Sequence, residues 1–397
     1  LQPIAVSNQR IYSIDVLRGA VMIIMALDHV RDYFHYGSFT INDPTNIQTT
    51  TPILFFTRWI THFCAPSFVF LAGISAFMMR QKKTKKELSG FLIKRGLWLI
   101  LVEFLIVTLA WTFDPLYHVF ILQVIWAIGI SMVILGLLLW LPVNVILALG
   151  LLIICFHNVL DYGELSRNGK VNILWEFAHH GHFTMIPLMP NHAIILVYPF
   201  LPWTGIMMTG YGMGRIFTAK FSSKNRKSTL FSIGLISFLA FIFLRALNIY
   251  GDPSKWYQTG TQLFTLLSFL NLTKYPPSAD YIFLTLGIAV IVLGLLDDIP
   301  KNSFSFLRVF GRVPFFFYVL HLFFIHAINV VLFFAQGFTA KDIAPQTSPF
   351  MFHPDGIGLN LICVYLVWIC VIIILFPICR KYDRYKSTHQ QWWLSYL

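Results

Sequence analysis

Ten stretches of the chain are apolar for long enough to read as helices crossing a bilayer: roughly 12 to 36, 52 to 80, 90 to 112, 117 to 140, 143 to 160, 192 to 217, 229 to 249, 278 to 297, 311 to 335 and 357 to 379. About 20 mostly apolar residues are needed to cross the hydrocarbon core. The first stretch breaks the pattern. "SIDVLRGAVMIIMALDHVRDYFH" (13–35) carries Asp15 and Arg18 near one end and Asp28, His29, Arg31, Asp32 and His35 near the other. Asp15 and Arg18 also interrupt the place where a signal peptide would put its apolar centre, so no cleavable signal is expected there. The pattern predicts an all-α, polytopic membrane helical bundle of about ten helices, with eleven as the alternative count. It forms one transmembrane domain over 1–397.

Composition agrees: 57% of the 397 residues are hydrophobic and 12% charged, a balance far from that of a soluble globule. The net charge of +12 invites a nucleic-acid reading, but its placement argues against one. Threading ten helices from a cytoplasmic N-terminus puts 20 of the 29 Lys and Arg on one side, in "RQKKTKKE" (80–87), Lys94, Arg95, "RIFTAKFSSKNRK" (215–227), "KNSFSFLRVFGR" (301–312), "RKYDRYK" (380–386) and Arg10. Five fall on the other side: Arg167, Lys170, Lys255, Lys274 and Lys341. By the positive-inside rule both termini are expected in the cytoplasm. No nucleic-acid partner is expected, because no soluble basic domain with interleaved aromatics exists. The five cysteines sit in apolar segments without paired spacing, which predicts neither a disulfide framework nor a metal site.

Three connections on the far side are long: 37 to 51, 161 to 191 with "HHGH" at 179–182, and 250 to 277. Long connections in compact proteins are usually functional or disordered. The third mixes aromatics with Asn271, Lys274 and a Pro pair, and reads as a re-entrant or half-buried element, which survives at membrane depth only under protein cover or beside a watery cavity.

Ionisable groups inside spans are costly and usually face a bundle interior or a wet cavity. In the first span Arg18 and His29 are eleven residues apart, close to three turns, so they share one face with Met22 and Met25 between them, about 16 Å apart along the axis. Asp32 at i+3 from His29 is placed to hold its imidazole, and Asp28 to pair with Arg31. The same groups could instead neutralise one another at headgroup depth. In the second span His62 enters from the far side, Pro66 predicts a kink, and Ala72, Gly73, Ser75 and Ala76 permit close packing. His321 and His326 in the ninth span are five apart and point to different faces, against a shared metal. Glu103, Trp111, Trp126, Trp203, Arg245 and Asn248 are further candidates to line the interior, the aromatics chiefly by packing. No zincin, P-loop, dinucleotide or nucleophile-elbow signature occurs, and "GYGMGR" (210–215) follows no strand.

Several separated motifs in order, "SIDVLRG…DH", "FCAPSFVFLAG", "YPFLPWTGIMMTGYGMGRIF" (198–217), "FLNLTKYPPS" (269–278), "GRVPFFFYVLH" (311–321) and "WWLSYL", resemble bacterial members of the heparan-α-glucosaminide N-acetyltransferase family over almost the whole chain. The resemblance implies transfer of an acetyl group from cytoplasmic acetyl-CoA across a bacterial inner membrane to an amino sugar or other glycan on the periplasmic side, by N- or O-acetylation, with no metal. The first span is also similar to that of wider membrane acyltransferases, in which an Arg, ten residues and a His form a functional motif, here Arg18 and His29. The lysosomal family member has asparagine where an ungapped alignment places His29, and its proposed catalytic histidine comes later, which makes His35 the nearest counterpart. His29, Asp28, Asp32 and His35 are therefore the catalytic candidates, with the base open between the two histidines.

Pantetheine is an arm of roughly the Arg18 to His29 separation. Arg18, Lys94, Arg95, Arg308 and Arg312 are candidates for the CoA phosphates, with His321 added on the donor side. Arg245, Asn248, Asp252, Asn271 and Lys274, beside Trp256, Tyr257 and Tyr275, are the acceptor candidates. His29 or His35 would act either as general base or as transient acyl carrier. Small-residue faces also suit a homodimer. The rival class is a proton-coupled small-solute transporter, which predicts repeated halves with matching broken helices; none is found.

Overall fold

The charged first span forms one helix, α1 (Tyr12–Phe34), and 17 of its 23 residues are buried. It packs against α2 (Pro52–Met79), α8 (Ala279–Leu296), α9 (Ser305–Arg312), α10 (Pro314–Ala335) and α11 (Leu361–Thr388). Its charges are thus enclosed by other helices. The remaining long helices are α3 (Lys85–Val102), α4 (Val124–Leu138), α5 (Val143–Phe156), α6 (Phe200–Met213) and α7 (Ser223–Leu247). This computed structural model describes residues 11–36, 43–166, 171–219, 221–300, 303–345 and 348–395. Arg10, Arg167, Lys170, Lys220 and Lys301, part of the 37–51 segment and the last two residues of "WWLSYL" lie outside the described residues.

Among the described residues five helices, α2, α7, α8, α10 and α11, are long and apolar enough to cross a membrane, and the protein is a helical membrane protein. α7 and α11 turn Ile236, Phe243, Ile362 and Ile373 outward, as a lipid-facing surface requires. α4, α5 and α6 have 15, 14 and 14 residues, about 21–23 Å at 1.5 Å per residue, less than the roughly 30 Å core.

The all-α expectation is corrected by a small sheet. The stretches 117 to 140 and 192 to 217 begin as strands, β1 (Val119–Leu122) and β3 (His192–Leu196), and β2 (Thr184–Met189) lies on the other edge of β3, giving the order β1-β3-β2. β1 runs parallel to β3, and β2 antiparallel to it through a turn in which Asn191 takes a φ of 64°, a left-handed value that asparagine tolerates. A short apolar run reads alike as strand or helix. Here Pro199 stops the strand and caps α6, leaving a separate apolar cluster of Leu122, Ile186, Ile194 and Leu196.

Two local devices set the geometry near α1. Beyond α3 the chain widens into a π-helical turn, Glu103–Val107, and the Gln123 N–H donates to Glu103 Oε1 at 2.6 Å, tying the start of α4 to α3. In α2 Pro66 lacks the N–H that would bond the carbonyl four residues earlier. That carbonyl, of His62, accepts instead from the Tyr281 hydroxyl of α8 at 2.7 Å, just where a 3-10 turn (Ile60–Phe63) interrupts the helix.

Candidate active site

A cavity of about 780 Å³ runs along α1. One end is basic, with Lys82, Arg95, Arg312 and Lys386 on its wall; Arg18, Met22 and Met25 follow along the α1 face, and Tyr318 closes the inner end. Arg18 braces three helices. Its guanidinium donates to Ser75 Oγ of α2 at 3.0 Å and to the Gly311 carbonyl of α9 at 3.2 Å, and pairs with Asp15 at 3.4 Å. Arg312 pairs with Asp383 at 3.0 Å. Of the other donor candidates, Lys94 is exposed and off the cavity wall, and Arg308 lies over the Tyr12 ring, also off the wall.

Beyond Tyr318 the Nδ1 of His29 lies 2.8 Å from Nε2 of His321 on α10. The rings stack at 5.0 Å between centroids, with Trp111 edge-on to His29 at 4.9 Å and Tyr318 at 6.1 Å. The partners fix the protons of the neutral pair. His321 Nδ1 is 2.7 Å from the Phe317 carbonyl, which only accepts, so that nitrogen carries hydrogen and Nε2 presents a lone pair. His29 Nδ1–H must donate to it, which leaves the lone pair on His29 Nε2. No described residue hydrogen-bonds that nitrogen. Tyr318 is likewise buried, with the Trp111 indole N–H beside its hydroxyl oxygen, which leaves the hydroxyl hydrogen to point toward the cavity.

The acids beside His29 turn elsewhere. Asp28 is a hub for three cations: Arg31 at 2.9 Å, Arg58 of α2 in close contact, and Lys274 at 3.9 Å. Asp32 pairs with Arg31, so the structure orients the His29 imidazole through His321, where the spacing pointed to Asp32. His35 sits at the end of α1, six residues further on and half-buried, its backbone bridged to Leu359.

The acceptor candidates separate into two kinds. Arg245 is 2% exposed and gives its guanidinium to the carbonyls of Ser254, Ser268, Phe269 and Asn271. Asn248 caps α7 in a left-handed conformation and bonds the Trp256 backbone in both directions. Asp252 accepts from Ser254, Thr273 and Ser278, and Asn271 donates to the Thr45 carbonyl. These four tie down the 250–277 connection: Arg245 takes carbonyls at the end of its short helix Gln262–Leu270, Asn248 and Asp252 bond the irregular backbone around that helix, and Asn271 holds the Thr45 carbonyl. Lys274 alone reaches the α1 hub, carried inward with Leu272 and Ser278, both buried.

Comparison with protein families matches residues 10–251 to heparan-alpha-glucosaminide N-acetyltransferase, catalytic. The chain belongs to this family. A comparison with curated proteins returned no match. Within the part matched to the N-acetyltransferase family lie Arg18, His29, Arg58, Arg95 and Trp111; His321, Tyr318, Arg312 and Lys274 come from beyond it and complete the same site. Sequence reasoning left Tyr318, Arg58, Lys82 and Lys386 unassigned. Tyr318 had a usable signal, since it stands three residues before His321 on one helical face.

Proposed function

We propose that the protein transfers an acetyl group from cytoplasmic acetyl-CoA to an amino sugar or related glycan on the periplasmic side of a bacterial inner membrane, through a bundle of about ten spans with both termini cytoplasmic. One observation carries this reading: a cavity that begins among Lys82, Arg95, Arg312 and Lys386 and ends at Tyr318, beside His29. Its basic end suits the CoA phosphates, and the Met22 and Met25 wall suits an extended, uncharged pantetheine arm. The side that holds most of the Lys and Arg is the cytoplasmic one by the positive-inside rule.

On this reading His29 is the base and His35 is outside the chemistry, because the free lone pair belongs to His29 Nε2. The nitrogen takes a proton from the acceptor amine or hydroxyl as that atom attacks the thioester carbonyl carbon. The carbon–sulfur bond then breaks, and the thiolate recovers the proton from the imidazolium. His321 holds the imidazole in the required tautomer and accepts from it throughout. Tyr318 O–H supplies a donor for the carbonyl oxygen as charge builds there. The acceptor approaches past Lys274 and the Asp28 hub.

The test uses purified protein with acetyl-CoA and glucosamine-terminated oligosaccharides. Calorimetry should show CoA binding, and labelled acetyl should pass to the sugar only when both are present. No response to CoA or acetyl-CoA up to millimolar concentration would remove the donor from the proposal. Labelled enzyme trapped without acceptor would move His29 from base to acyl carrier.

A further inference from the structure

Off the cavity wall, the 157–180 region gathers two imidazoles and two carboxylates from three segments. His157 ends α5, Asp161 and Glu164 share a face of the short helix Val159–Ser166, and His179 belongs to the wide turn Glu176–His180. One ligand atom each from Asp161, Glu164 and His179 lies within 4.8 Å of the others. His179 Nε2 is 3.9 Å from Asp161 Oδ1 and 3.2 Å from His157 Nδ1. Both histidines are buried, His179 fully. His179 and Asp161 are also held from behind: Glu164 accepts from His179 Nδ1–H at 2.8 Å and from Trp175 Nε1 at 2.6 Å, and Asn158 donates to Asp161 Oδ2 at 2.7 Å.

Charge gives a separate argument. Among the described residues neither Asp161 nor Glu164 has a Lys or Arg ion pair, in a chain whose net charge is +12.

We propose that His157 Nδ1, His179 Nε2 and Asp161 Oδ1 bind a divalent cation of the zinc class, with Glu164 as the outer partner that orients His179. Metal–ligand bonds of about 2.0–2.2 Å in a tetrahedral site separate ligand atoms by roughly 3.3–3.5 Å, and the two separations from His179 Nε2 bracket that value; His157, outside the Asp161, Glu164 and His179 group, closes toward Asp161 when the ion binds. Imidazole and carboxylate together suit zinc, and a carboxylate behind a ligating histidine is the usual second support. The cation clamps the long connection after α5, and with it the β2–β3 hairpin, onto the bundle. Its role is structural and does not depend on the acetyl-transfer reading. Spacing in the sequence gives no hint of it, because the ligands are separated by 22 residues and come from a helix end, a short helix and a turn.

The experiment takes the full-length protein in detergent, strips it with chelator and titrates Co²⁺, followed by Zn²⁺. The expected result is one Co²⁺ per chain with the intense visible bands of four-coordinate cobalt, displaced by Zn²⁺, and X-ray absorption showing imidazole nitrogen neighbours. H179A and D161N should each lower Co²⁺ affinity at least tenfold, while H182A, altering the neighbouring imidazole of the "HHGH" tract, should not. A wild-type spectrum of six-coordinate, hydrated cobalt overturns the proposal whatever the variants do. So does binding that survives H179A and D161N but is lost in H182A.

Discussion

His29 on α1 and His321 on α10, 292 residues apart in sequence, share one hydrogen bond of 2.8 Å whose direction is fixed by the Phe317 carbonyl behind His321. That direction exposes the basic nitrogen of His29. Removing His321 frees the imidazole to rotate and change tautomer. H321A should therefore lower kcat about 100-fold, within the range of general-base catalysis, while the KM for acetyl-CoA changes less than twofold. H321Q, whose amide oxygen can accept from His29 Nδ1–H, should recover part of kcat. Steady-state kinetics of the two variants separate positioning from mere packing, since a packing role gives both the same loss.

H29A should abolish transfer and leave CoA affinity intact, because the cavity wall stops at Met25 and Tyr318. H35A should keep at least half of the activity. The opposite pattern in a labelled-acetyl assay would transfer the base to His35.

Cavity position also sorts the cations. R95A and R312A should each raise the CoA Kd about tenfold, equivalent to about 1.4 kcal/mol, since both side chains stand on the wall. K94A, exposed one residue away from Arg95, should change it less than twofold. Calorimetry with CoA measures all three.

What the sequence made legible was what periodicity controls. Arg18, Met22 and Met25 line the cavity together, as two turns of one helix face require, and the Asp28–Arg31 pair forms at i+3. What it hid was tertiary. His321, Arg58 and Lys274 reach α1 from three distant segments, and no local rule pairs them with it. The cluster at 245–271 is close in sequence for a local reason: Arg245 holds carbonyls at the end of the short helix Gln262–Leu270, and Asn248 and Asp252 bond the irregular backbone beside it. The strands at 119–122 and 192–196 were hidden because a short apolar run has no period long enough to read.

The Asp28 hub gathers Arg31, Arg58 and Lys274 on one carboxylate. Breaking a buried ion pair from one side strands the remaining charge and typically costs about 3–5 kcal/mol. D28N should thus be strongly destabilising, with a lower melting temperature in detergent. R58M alone should also destabilise, yet D28N combined with R58M should be more stable than the sum of the two single losses predicts. Additive losses in this double-mutant cycle would show that the hub does not act as a unit.

The closest approach of two helices in the site is where α1 crosses α9. A Cβ at Gly19 would lie 1.8 Å from the Leu307 carbonyl oxygen, and one at Gly311 1.8 Å from that of Asp15. Neither oxygen belongs to a side chain that can swing away, so the helices must separate. G19A and G311A should each cost more than the roughly 1–3 kcal/mol usual for overpacking. G90A, with nothing within 4 Å of the added carbon, should be neutral or stabilising by up to about 1 kcal/mol, because alanine is the better helix former. The function should follow the fold here. Arg312 is the next residue after Gly311 on α9, and Arg18 bonds the Gly311 carbonyl. Pushing α9 outward therefore shifts Arg312 off the cavity wall and loosens Arg18 in the same movement. G311A should raise the CoA Kd together with its loss of melting temperature, whereas G90A should alter neither binding nor transfer; a G311A protein that melts normally would mean that the crossing is looser than 1.8 Å implies.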